Sequence, residues 1–83
     1  MNKILVEVYV PLLERSFDVF IPINKKIKNV ARLLNEAIID LSNGAMIKKE
    51  DIKLYNRDTG YLLNPYHNVK EAGLANGSQI ILI

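Results

Sequence analysis

Cysteine is missing from all 83 residues. Disulfides, thiolate catalysis and Cys-based metal sites are therefore excluded together. No apolar run approaches the ~20 residues that span a bilayer. Repeats, low-complexity tracts and linkers are also missing, and the length suits one domain over residues 1–83. Charge of one sign is scarce: 11 Lys and Arg against 9 Asp and Glu leave a formal net charge of +2. That is too small to argue for nucleic acid by itself. The opening Met1-Asn2-Lys3-Ile4-Leu5-Val6 sets a lysine before apolar residues, but Glu7 ends the run and no small-residue cleavage site follows. It reads as a strand and not as a signal peptide. The lack of cysteine fits a cytoplasmic location without establishing one. What the chain does have is apolar residues, 49% of the total. A domain this small buries only about 60–65% of its unfolded surface and needs them.

The apolar residues are arranged with two periods. Over 3–10, Ile4, Val6, Val8 and Val10 fall on one face and Lys3, Leu5, Glu7 and Tyr9 on the other, which is a strand. Pro11 to Arg15 interrupt it as a turn. Residues 16–23 alternate again, with Phe17, Val19, Ile21 and Ile23 on one face, and Pro22 suits an edge strand. Then Ile27, Val30, Ala31, Leu34, Ile38 and Leu41 fall at helical spacing. The pattern predicts a helix from about 25 to 42, with Asn24 as its N-cap and Gly44 as its C′ residue. Lys25, Lys26 and Lys28 crowd the first turn, where the helix dipole favours negative charge.

Beyond the helix, 52–55 reads as a third strand, Asp58-Thr59-Gly60 as a tight turn and 61–63 as a short fourth strand. Asn68-Val69-Lys70-Glu71 is a capping-box-like start for one short helical turn ended by Gly73. Asn76-Gly77 turns the chain into an apolar strand over 79–83. The order is β-β-α-β-β-turn-β. It predicts an α+β β-grasp fold: a mixed four- or five-stranded sheet packed on one main helix, with the first and last strands parallel in the middle.

That order, its spacings and the ending from Val69 to Ile83 resemble ubiquitin-like proteins over the whole chain. The stretch Phe20-Ile21-Pro22-Ile23 through Ile27-Lys28-Asn29-Val30 is similar to a narrower family, the small YukD/EsaB-like proteins encoded beside type VII secretion systems of Gram-positive bacteria. The resemblance implies a cytoplasmic accessory or regulatory component of that machinery, bound to a membrane or ATPase component. It brings no catalytic residues. The alternatives are a ubiquitin-like adaptor unrelated to secretion, and a β-grasp sulfur carrier or protein modifier. The last is disfavoured because such proteins end in a flexible Gly-Gly tail, whereas this sequence stops at Ile83. Lys26 aligns with the position where ubiquitin carries its threonine helix cap.

Catalytic and metal chemistry find little to stand on. His67 is the single histidine, and Ser16 and Asp18 could complete a triad with it only if the fold brought them together. A surface-turn histidine is the plainer reading. Metal binding would need further ligands at ordered spacing, so no metal and no cofactor are expected. Gly73, Asn76, Gly77 and Ser78 faintly echo a phosphate loop but lack its Gly-Lys-Ser/Thr core. The expectation is a non-enzyme.

Two surfaces remain. Lys25, Lys26, Lys28 and Arg32 make the helix start basic, with Lys48 and Lys49 beyond its other end. A solvated surface, an acidic protein partner steered in by these charges, and anionic lipid or nucleic acid are the open readings. Nucleic acid is the weakest, since stacking aromatics are not interleaved. The second surface is the sheet face away from the helix. Parity places Leu5, Glu7, Tyr9, Phe20, Tyr55, Ile81 and Ile83 there, with Leu12 and Leu13 at the rim. A contiguous apolar patch on a free sheet face marks a protein-binding site, a homodimer contact, or simple tolerance.

Overall fold

Alternation builds the first hairpin. The computed structural model describes residues 2–45 and 51–83. It places β1 over Lys3–Val10 and β2 over Arg15–Pro22, paired antiparallel from Lys3 with Pro22 to Val10 with Arg15. The reversal is a 3₁₀ turn over Pro11–Leu13, followed by Glu14 in the left-handed region at φ 51°. The helix α1 spans Ile27–Leu41, β3 spans Leu54–Asn56 and β4 spans Gln79–Leu82. The sheet order is β2-β1-β4-β3, with β1 and β4 parallel at its centre and antiparallel partners on either side. This is the anticipated β-grasp topology, with four strands.

The core lies between the sheet and α1. Val6, Val8 and Val10 meet Ile80 and Leu82 from the central strands, and Ile27, Val30, Ala31, Leu34 and Ile38 close over them from the helix. Two positions depart from the helical stripe. Leu41, the last residue of α1, is exposed, and Asn35 is buried at 1% exposure. Neither side-chain polar atom of Asn35 has a partner among the described residues.

The boundaries shift for identifiable reasons. The helix begins at Ile27, two residues after the expected start. Its N-cap is Lys26 in extended geometry with no side-chain cap bond, and not Asn24. The orphan donors of the first turn are met from elsewhere: the Ile27 amide donates to the His67 carbonyl at 2.8 Å and the Lys28 amide to the Pro65 carbonyl at 3.0 Å. The chain around Lys26 also bridges to Asn68. A capping side chain was therefore not needed. At the other end Ser42 is the C-cap, and the left-handed geometry begins at Asn43, at φ 54°, with Gly44 following.

The expected fourth strand at 61–63 is reduced to one bridge, between Tyr55 and Leu62. Two backbone bonds hold it, from the Asn56 amide to the Tyr61 carbonyl and from the Leu63 amide to the Leu54 carbonyl, both at 2.9 Å. The turn between the segments is built on Asn56, whose Oδ1 accepts from the amides of Asp58 and Thr59. The capping box forms as read: the Asn68 amide donates to Glu71 Oε1 at 2.9 Å and the Glu71 amide to Asn68 Oδ1 at 2.7 Å. Lys48 and Lys49 lie outside the described residues.

Candidate functional site: the outward face of the sheet

Because α1 covers one side of the sheet, the side chains of opposite parity on each strand point away from the core. Register brings them into rows. Leu5 stands opposite Phe20, Glu7 opposite Asp18 and beside Gln79, and Tyr9 opposite Ser16 and beside Ile81, which in turn pairs with Tyr55. Ile83 follows Ile81 and exchanges two backbone hydrogen bonds with Lys53.

The apolar residues of this face thus fall into two clusters. Leu5 and Phe20 form one, next to a groove of about 470 Å³ lined by Asn2, Lys3, Phe20, Pro22 and Asn24. Tyr9, Ile81, Tyr55 and Ile83 form the other. Phe20 is 58% exposed and Ile83 51%, while Tyr9, Tyr55 and Ile81 are half-buried. Leu5 and Tyr9 stand four residue steps apart on β1, roughly 13 Å of strand. Between them runs a charged row of Asp18, Glu7 and Arg57. The Arg57 guanidinium lies 3.7 Å from Glu7 Oε1 and 4.7 Å over the Tyr9 ring. The contiguous patch expected from parity is divided.

Leu12 stays at the rim, exposed on the 3₁₀ turn, but Leu13 does not: it packs against the core. In a turn of three residues, neighbours point in different directions and one is drawn inward. Arg57 and Asp18 were missed from the sequence as members of this face. The signal was present in the same two-residue parity that placed Tyr55 and Phe20 there.

The basic residues occupy the other layer. Lys28 and Arg32 share a helix face at i, i+4 spacing. Lys28 sits 5.4 Å over the Tyr66 ring and Arg32 bonds the Asn29 side chain at 3.4 Å. Lys25 and Lys26 lead into the helix. None of the four is a member of the outward face: Lys28 and Arg32 belong to α1, and Lys25 and Lys26 to the segment that leads into it from β2.

The possible triad residues are not assembled. Ser16 and Pro22 bracket about 20 Å of β2, and His67 docks near the Pro22 end, where 23–27 meet 67–70. The glycine-rich turn has its polar groups engaged. Asn76 Oδ1 accepts from the Leu5 amide and Ser78 Oγ from the Ala75 amide.

No protein-family model matches the chain, and no curated protein matches it in sequence. Solved structures match well. The ubiquitin-like domain of the Mycobacterium tuberculosis type VII secretion system protein EccD1 is similar at TM-score 0.76 and 12% identity, over 100% of this chain and 99% of that one. The UBL domain of Plasmodium falciparum Dsk2 is similar at TM-score 0.72 and 20% identity, over 96% and 95% of the two chains. A ubiquitin-like domain from an Arabidopsis thaliana protein is similar at 0.67 and 24%, over 100% and 78%. The fold is ubiquitin-like. At these identities the likeness speaks for fold, and function has to be argued from the site.

Proposed function

We propose that this chain is a non-catalytic protein-binding module, a cytoplasmic accessory or regulatory component of a Gram-positive type VII secretion system, docking through the outward face of its sheet. The observation that carries the docking is the set Leu5, Tyr9, Phe20, Tyr55, Ile81 and Ile83 on a face the chain's own helix leaves uncovered. Large apolar groups on a free sheet face usually mark an interaction site. Tyrosine suits the role, offering a rigid apolar body and a hydroxyl for orientation. The secretion context is supported by the similarity of the Phe20–Val30 stretch to the YukD/EsaB-like proteins, and by the recurrence of this fold in a mycobacterial secretion component.

The test is capture of purified cytosolic domains of type VII secretion ATPase and membrane components on the immobilised chain. Wild type should retain one of them. Tyr55→Ala with Ile81→Ser should lose it while circular dichroism still reports a folded domain. No capture, or capture that survives the double substitution, overturns the reading. Lys25→Glu with Lys26→Glu should alter only the association rate. If that variant alone loses the partner, the working surface is the start of the helix.

A further inference from the structure

The division of the outward face specifies what fits it. We infer that the segment this face binds carries a lysine or arginine between two large apolar residues, the cation seated on Asp18 and Glu7 and the apolar residues on the two flanking clusters. The inference rests on the docking reading above and deepens it.

Asp18 and Glu7 are direct cross-strand partners on the solvent side of β2 and β1. Like charges so placed repel. Arg57 answers only one of them: it reaches Glu7 from the β4 side and is held there over the Tyr9 ring. Asp18 has no ion-pair partner among the described residues. The row thus holds two carboxylates and one guanidinium, leaving one negative charge uncompensated midway between apolar clusters.

An all-apolar ligand spanning both clusters would bury that charge without a partner, which is costly. A ligand with a central cation would relieve the repulsion instead, and its aliphatic stem could lie along Leu5 or Phe20. The spacing agrees. Along β1 the two clusters stand roughly 13 Å apart, from Leu5 to Tyr9, with Glu7 midway, which suits residues i and i+4 of an extended segment with the cation at i+2. A second copy of the chain fits less well, because its own Arg57 is already engaged by Glu7 and Tyr9.

The test is selection from a displayed library of random 16-residue peptides on the immobilised wild-type chain, followed by anisotropy titration of the selected peptides. Selected peptides should share a Lys or Arg flanked by large apolar residues. Asp18→Lys should weaken them by about tenfold or more, and exchanging the peptide cation for Glu should restore binding to that variant. Asp18→Asn should melt no lower than wild type, because it removes a like-charge contact. Peptides that need Tyr55 and Ile81 yet show no basic preference would overturn the inference and leave the face reading standing. Peptides indifferent to Tyr55→Ala with Ile81→Ser would overturn both. So would an empty selection. Sedimentation showing a dimer dissolved by Asp18→Lys would make a second copy the occupant and also overturn it.

Discussion

The amide of Leu5 donates to the side-chain oxygen of Asn76 at 2.8 Å, across 71 residues of sequence. The Gly77 amide returns a bond to the Leu5 carbonyl at 2.8 Å. Together they continue the β1–β4 pairing past the end of the strand, and Gly77 can do so because its φ is +87°. Asn76→Ala should therefore cost about 1 kcal/mol, and Gly77→Ala a similar amount. Urea denaturation should show a lower midpoint with an unchanged slope. A midpoint equal to wild type for Asn76→Ala would mean the bond carries no net stability.

Asn35 offers the opposite experiment. It is 1% exposed on the core side of α1, and its amide makes no bond among the described residues. Burying such a group without partners costs roughly 1–3 kcal/mol. Asn35→Leu, which keeps the branched four-atom side chain and removes its unbonded polar atoms, should raise stability by about 1 kcal/mol, measured by the same denaturation. A lower midpoint would contradict this assignment.

The first strands and the helix stripe were legible because they rest on periodicity, which short-range pattern carries, and the parallel central pair followed from the order of the elements and its likeness to a β-grasp. The capping box of Asn68 and Glu71 was legible because both partners are local. What escaped was long-range. The helix starts at Ile27 because the carbonyls of Pro65 and His67, far along the chain, meet its first amides, and no local signal reports that. The face was legible residue by residue, yet its division was not. Glu7 was placed on it, but its pairing with Asp18 and Arg57 depends on register, which sequence parity alone does not fix.

The two clusters should behave as independent surface sites in the free domain. Leu5→Ser with Phe20→Ser, and Tyr55→Ala with Ile81→Ser, involve groups separated along β1 by roughly 13 Å. Effects at such distances add within about 0.5 kcal/mol. The quadruple variant should therefore lose stability by the sum of the two doubles. Thermal unfolding checks this, and a shortfall beyond that margin would show the clusters pack as one unit despite the charged row.

The start of α1 yields the last prediction. Lys26 is the N-cap, and Lys25 and Lys28 flank it, so positive charge meets the positive end of the helix dipole. The arrangement persists because backbone carbonyls of Pro65 and His67, not a side chain, accept the first two amides. Two consequences separate the carbonyls from the charges. His67→Ala removes only an exposed imidazole and keeps the carbonyl, so stability should stay within about 0.5 kcal/mol of wild type. Lys26→Asp reverses the unfavourable charge at the cap and should stabilise the domain by about 0.5–1 kcal/mol at low salt. Its gain should shrink as salt rises, since the charge is exposed and screening acts on it fully. A gain independent of salt would point to a new side-chain cap bond. A loss would mean Lys26 contributes a contact that outweighs the dipole, and the account of this helix end would be wrong.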